Sequence, residues 1–161
     1  MAELLPEIRN TTRALIIQQD RILLLRKDGG GRGERFALPG GAQDTGESLT
    51  EALNRECIEE IGTTVEIGDL IHVADFFKMK DRLPPSREHQ IEFLFQCIIA
   101  ADYTPHNGTH PETQQVAVVW AEINKLTQLA LFPQYLTGVI SDHVDSDKNV
   151  YLGSFHDNAA P

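Results

Sequence analysis

The chain is poor in cysteine, in tryptophan and in positive charge. Its 161 residues hold two cysteines, one tryptophan, and 14 lysines and arginines against 24 aspartates and glutamates. Cys57 and Cys97 each sit inside an apolar pattern. Two such residues leave no disulfide framework to build; they read as buried free thiols of a reducing compartment, so a cytoplasmic location is expected. The net charge of −10 argues against long nucleic acid as a partner. It does not argue against a small anionic substrate, because a metal ion inverts the local field. No apolar run approaches the roughly 18 residues of a membrane span. The opening MAELLPEIRN has an early acidic residue and no long apolar core, so neither a secretory leader nor a membrane partner is expected. The six histidines, His72, His89, His106, His110, His143 and His156, show no metal-ligand spacing. The glycine-rich stretch 28–33 is followed by no Gly-Lys-Ser/Thr and opens no helix, which rules out a phosphate-binding P-loop.

Repeats, low-complexity stretches and long linkers are absent too, so residues 1–161 are expected to form one domain, with a core over about 10–143 and a tail over 144–161. Arg13–Gln18 and Arg21–Leu25 are short, β-branched apolar runs that predict two buried strands joined at Gln19-Asp20. A short strand at Phe36–Leu38 runs into Pro39-Gly40-Gly41. Ser48–Ile61 is predicted to be a helix: Leu49, Ala52, Leu53, Cys57 and Ile61 recur at spacings of three and four, and Gly62 is placed to cap its end. Strands are expected at about Glu66–Phe77, His89–Ala100 and Val116–Trp120, separated by a basic loop Lys78–Arg87 and a turn-rich loop Tyr103–Gln115. Helices are expected at Ile123–Leu126 and Pro133–Ser141, and a last strand or extended tail at Asn149–Phe155. Strands interleaved with a few helices give an α/β layered domain.

The chemistry concentrates in the predicted helix. Glu56, Glu59 and Glu60 fall at i, i+3 and i+4, so three carboxylates share one face. That clustering costs the helix a few tenths of a kcal/mol per pair, about 0.2–0.5. A divalent cation removes the cost, and carboxylates without His or Cys partners favour a hard one, Mg2+ or Mn2+. The alternative is a solvated acidic face. Arg55 adds a planar fork able to hold Glu47 or Glu59; its alternative is a surface ion pair of little energy.

These residues belong to a larger pattern. Residues 41–63, GAQDTGESLTEALNRECIEEIGT, fit G-x5-E-x7-R-E-U-x-E-E-x-G-U, where U is bulky and apolar, with Gly41, Glu47, Arg55, Glu56, Glu59, Glu60 and Gly62 all in register. Seven specified residues at about 6% usage each match by chance on the order of once in 10^8 starting points. The stretch resembles the signature box of the Nudix hydrolases, with Leu38-Pro39-Gly40-Gly41 and Trp120 in support over about residues 10–143. Cys57 and Thr63 depart from the two U positions, which bears on packing more than on chemistry.

The resemblance implies a mixed sheet between helices, an α/β/α sandwich, and metal-dependent hydrolysis of a nucleoside diphosphate linked to another moiety: a sugar nucleotide, an ADP-ribose-like compound or a nucleoside triphosphate. It implies Glu56 and Glu60 as metal ligands, Glu59 as ligand or base, and the backbone carbonyl of Gly40 as a further ligand. A glutamate from outside the box serves many members as base or extra ligand; Glu112 is the candidate, with Glu92 second, and a solvated loop carboxylate is the alternative for Glu112. Arg26, Arg35, Phe36, Lys78 and Arg87 are the candidate substrate contacts, within a wider set of loop cations that includes Lys27, Arg32, Lys80 and Arg82. Phe76 and Phe77 are either ring-stacking residues or core. A homodimer is a further possibility, since dimers are common in the family. The competing reading is a non-catalytic Nudix domain that binds a nucleotide metabolite as sensor or scaffold; such domains lose box glutamates, and this box has lost none.

Overall fold

The computed structural model describes residues 2–142 and 149–157. Strands β1 (Glu3–Gln18) and β2 (Arg21–Asp28) meet in the expected hairpin, paired at Ile17 with Ile22 and Gln18 with Arg21. Gln19 and Asp20 both take positive φ, 51° and 62°, the backbone twist that suits a two-residue hairpin turn. Side chains alternate across a strand, and here each face of the strand pair meets a different layer. Ala14, Ile16, Leu23 and Leu25 pack with Leu53, Cys57 and Ile61 of helix α1 (Leu49–Ile61). Leu15, Ile22 and Leu24 pack on the other side with Leu126, from a 3-10 turn (Ile123–Gln128), and with Leu136 and Ile140 of α2 (Leu136–Ser141). Apolar runs without alternation thus mark strands covered on both faces, and the architecture is the α/β/α sandwich expected from the sequence.

The sheet is mixed. Its main path runs β3 (Glu34–Ala37), β2, β1, β6 (Ser86–Ile98), β5 (Glu66–Lys80), β8 (Tyr151–His156), with β4 (Gly40–Ala42) paired to β1 and β7 (Gln115–Glu122) paired to β2. The β1–β6 and β5–β8 pairs are parallel. Three expectations need correction. The basic loop is shorter than the composition of 78–87 suggested: Lys78–Lys80 and Ser86–Arg87 are strand residues, paired across a hairpin whose loop is 81–85. Ladder hydrogen bonds hold these charged residues in extended form without any apolar periodicity to announce it. For the same reason β1 begins at Glu3 rather than at Arg13, its first residues lying beside β6 with Leu4 and Ile8 exposed. The helix expected from Pro133 starts at Leu136, and that at Ile123–Leu126 is a 3-10 turn. The segment after 149 is a true strand, paired to β5 through Asp75–Ser154 and Phe77–His156; residues 143–148, which include His143, and 158–161 lie outside the described residues.

Helix α1 is held at both ends. Ser48 accepts a hydrogen bond from the Glu51 amide (3.1 Å), and the Glu51 side chain accepts from the Ser48 amide (3.1 Å), a reciprocal capping box. Gly62, at φ 76°, closes the other end and donates to the Cys57 carbonyl. Cys57 itself is fully buried in the core, so the small apolar residue packs well there. Thr63 is half-buried, and Val65 fills the core two residues on.

Candidate functional site

Arg55 ties the second half of α1 to the loop before it. Its Nε and Nη2 bind the two Glu47 oxygens at 2.5 and 3.1 Å, Nη1 binds Glu56 at 2.9 Å, and Nη2 also donates to the Ala42 carbonyl at 2.9 Å. Glu59 and Asp44 lie at ion-pair distances of 3.5 and 3.6 Å. The guanidinium holds the Glu47 carboxyl below its ordinary range. Burial raises the Glu56 carboxyl, with Arg55 acting in the opposite direction.

Glu60 is the buried member of the trio, only 2% exposed. It accepts a hydrogen bond from the Gly40 amide at 2.7 Å. Burial pushes its carboxyl up to about 8, despite that hydrogen bond, and repulsion from Glu112 and Glu56 adds to the rise. A side chain at residue 41 would stand 2.6 Å from the Glu56 carboxylate. Only glycine lets that carboxylate lie against the β4 backbone, which gives the first glycine of the box a packing role.

The loop 103–115 docks on the open end of α1. Gly108 and His110 donate backbone hydrogen bonds to the Glu60 and Glu59 carbonyls (3.0 and 2.9 Å), the Gln115 amide side chain reaches the Glu60 carbonyl (2.8 Å), and the Tyr103 hydroxyl reaches the Ile61 carbonyl (2.6 Å). Carbonyls that a helix end leaves unpaired are thus satisfied by the segment that carries Glu112. A Cβ at residue 108 would lie 2.4 Å from the Ile58 carbonyl oxygen, so Gly108→Ala is expected to lift the loop, cost about 1–3 kcal/mol of stability and lower turnover. Urea unfolding alongside rate measurements checks this; wild-type stability and rate would show that the loop is not tightly docked.

Two adjoining cavities open at this end of the sheet. The smaller, about 470 Å3, is lined by Glu56, Glu59, Glu60, Gly40, Gly41 and Glu112, with Lys78, Lys80 and Gln90 on its other wall. The larger, about 620 Å3, is lined by Lys27, Arg32, Arg35, Phe36, Lys78 and Arg82 among others, and the two share Lys27, Ala37, Lys78, Lys80, Glu112 and Phe132. Glu112 therefore lies beside the box carboxylates, ion-paired to Lys27. Glu92 does not line either cavity: it is buried, with Arg13 on one oxygen at 3.2 Å and no hydrogen-bond partner on the other.

The substrate candidates divide. Arg35, Phe36 and Lys78 line the larger cavity. Arg26 lines neither and pairs with Glu34 at 3.8 Å. Arg87 is set apart by strand alternation: it stands opposite Met79 in the hairpin, one residue out of phase with Lys78, and its guanidinium lies over Phe77 and 3.3 Å from His156. Phe76 is core, edge-on to Phe132, and Phe77 is stacked between His89 and His156. Phe132, on the wall of both cavities, carried no signal in the sequence beyond being aromatic.

The NUDIX domain family model matches residues 8–140. The chain belongs to the Nudix hydrolase family. It is an enzyme of the pyrophosphohydrolase type, acting on phosphorus-containing acid anhydrides. A Nudix hydrolase of Bacillus subtilis (strain 168) named YvcI, itself uncharacterized, is 26% identical over 149 residues, covering 92% of this chain and 86% of that protein. Among solved structures, a mutator MutT protein from Bacillus halodurans matches with a TM-score of 0.69 at 22% identity, over 92% of this chain and 89% of the other. An ADP-ribose pyrophosphatase from Streptococcus suis matches with a TM-score of 0.57 at 20% identity, over 91% and 98%. At those identities the structures establish the Nudix fold alone.

Nudix hydrolases generally need divalent metal ions. Among the described residues, no three His, Cys, Asp or Glu side chains converge into a ready-made metal cage. Glu56 and Glu59 face Arg55, and Glu60 faces the Gly40 amide. The donor set still suits a hard cation. It is all oxygen, it lines one cavity, and two of its carboxylates are disfavoured as anions by burial. No helix among the described residues is long and apolar enough to cross a membrane.

Proposed function

We propose that this enzyme hydrolyses a nucleoside diphosphate linked to another moiety, with Mg2+ or Mn2+ held by Glu56, Glu59, Glu60 and the Gly40 carbonyl. The observation that carries the reading is that the three box carboxylates and Glu112 line one cavity, which opens onto a second cavity rich in cations. When bound, the divalent ion would neutralise diphosphate charge and make a water more acidic. The remaining work falls to the chain. Arg55 fixes the Glu47 and Glu56 carboxylates, so that they keep their orientation as the substrate enters. Glu59, the least buried of the three box carboxylates, or Glu112 takes the proton of the attacking water. For Glu112 that role requires release from Lys27, which an incoming phosphate would draw away. Lys78, on the wall between the cavities, faces the substrate's negative charge.

A panel of nucleoside triphosphates, sugar nucleotides, ADP-ribose and dinucleotides, assayed for released phosphate with and without added phosphatase in Mg2+ or Mn2+, tests the reading. Turnover of one group that disappears with a chelator is the expected result. A folded protein that binds Mg2+ and turns over no member of the panel would favour the sensor reading instead.

A further inference from the structure

The larger cavity is far more basic than the protein that contains it. Six of the chain's 14 lysines and arginines line it, Lys27, Arg32, Arg35, Lys78, Lys80 and Arg82, against three of its 24 acidic residues, Asp81, Glu112 and Asp157. In a chain of net charge −10, that concentration runs against the average.

Three of the six are already paired: Lys27 with Glu112, Arg32 with Asp81 at 3.4 Å, and Lys80 with Glu88 at 3.3 Å. The other three form no salt bridge among the described residues, although Glu112 and Glu88 lie near enough to Lys78 to act on its charge. Arg35 stands opposite Lys27 in the β2–β3 ladder, where Glu112 takes up the charge of Lys27 and leaves that of Arg35 unpaired. Arg82 spends its Nε on the Ser86 hydroxyl at 2.8 Å and keeps the rest of its fork unengaged by any acid. Lys78 lies 5.7 Å from the centre of the Phe132 ring. Burial, with Arg13 and Lys80 nearby, pushes its ammonium below the ordinary lysine range, a penalty that a bound anion offsets. A scissile diphosphate lying against the box carboxylates and their cation reaches Lys78, which is on the wall of both cavities, but not Arg35 or Arg82, which line only the larger one. A neutral sugar there would leave both guanidinium groups and the half-buried Lys78 ammonium without an anion.

We infer that the larger cavity is a second anion subsite, and that the substrate carries a further phosphate, separate from the scissile anhydride, received by Arg35 and Arg82 beside the shared Lys78. The inference rests on the hydrolase reading and narrows it. It favours a polyphosphate chain or a phosphorylated nucleotide derivative over one whose second moiety is uncharged. Both sources present the same chemistry, a multiply charged phosphate for planar Arg forks to hold, and the test separates them.

The test compares kcat/KM for two matched pairs, ADP with ATP and NADH with NADPH, in wild type and in the double variant Arg35→Ala, Arg82→Ala. The readout is the ratio within a pair, so a uniform loss of activity cancels. The expected result is that the more phosphorylated member of at least one pair is favoured by about tenfold or more, as for a charge-assisted hydrogen bond. The preference should lie mainly in KM, weaken with salt and shrink to under about threefold in the variant. A preference in the first pair marks a chain phosphate, and one in the second a phosphate on the ribose. Ratios near one in wild type, or a preference that survives in the variant, overturn the subsite. If no pair is hydrolysed, thermal stabilisation by inorganic tripolyphosphate decides. Stabilisation of wild type but not of the variant retains the subsite while the hydrolase reading falls; equal stabilisation of both overturns the subsite.

Discussion

Glu60→Gln is expected to cut kcat by about 10^2 to 10^4-fold while making the metal-free protein more stable above neutral pH. The two effects have one origin. Glu60 is buried, and its carboxyl in the folded protein titrates at about 8, against an ordinary value of 4.5. A carboxyl whose folded value is raised binds its proton more tightly folded than unfolded. Its favourable contribution is therefore complete below about pH 4.5, is lost as pH rises towards 8, and is absent above that. Metal-free wild type should lose stability across that window. Glutamine, which resembles the protonated acid and can still accept from the Gly40 amide, should flatten the slope. Added Mg2+ or Mn2+ should stabilise wild type increasingly as pH rises, because the cation competes with the proton for the same oxygens, and should do much less for the variant. Melting temperature against pH, with and without metal, reads this directly. Glu59→Gln is the companion variant, expected to lose a similar amount of activity. Near-normal turnover in both variants would remove the box carboxylates from the chemistry.

How far such a site can be read from sequence depends on what signal each residue leaves. The α1 face was legible because helix periodicity places Glu56, Glu59 and Glu60 by arithmetic, and because Leu49, Leu53, Cys57 and Ile61 mark the apolar stripe beside them. The caps were partly legible: Gly62 stood out as a glycine after the last periodic residue, while Ser48 and Glu51 have the spacing of a capping box that was there to be seen. The cavity was legible only as a clustering of cations. Lys78 and Arg87 look alike in the sequence, both basic and both near the same turn. Once 78–80 and 86–87 are strand, alternation sends Lys78 to the cavity and Arg87 to the Phe77–His156 stack. The register that separates them is made by backbone hydrogen bonds, which leave no mark on residue type. The docking of loop 103–115 on α1 was hidden for the same reason, since its bonds run from Gly108 and His110 amides to helix carbonyls. Glu112 could be named as a candidate from its place before a strand, but its distance from the box is set by that docking.

Arg55→Ala is expected to lower activity by about 10 to 100-fold and to weaken the apparent affinity for the metal, with the fold retained. The guanidinium makes the hydrogen bonds that hold Glu47, Glu56 and the Ala42 carbonyl around a single plane. Removing it leaves Glu56 partly buried with its main counter-charge gone, so its carboxyl should rise further and compete less well for a cation. It also loosens the loop 42–47, which then keeps only its internal bonds and the anchors of Gln43 to Asn10, from the Asn10 side chain and to the Asn10 carbonyl (both 2.9 Å). The fold should survive, because α1 is anchored by its caps and by Leu53, Cys57 and Ile61, none of which touches Arg55 through an ion pair or hydrogen bond. Arg55→Lys separates charge from geometry. An ammonium keeps the positive charge but cannot span both Glu47 oxygens, Glu56 and a carbonyl at once. The lysine variant should therefore resemble alanine in rate at limiting metal and recover only part of the loss at saturating metal. Rate against Mg2+ concentration for the three proteins distinguishes these outcomes. Full recovery in the lysine variant would reduce Arg55 to a counter-charge, and unchanged kinetics in the alanine variant would remove it from the site altogether.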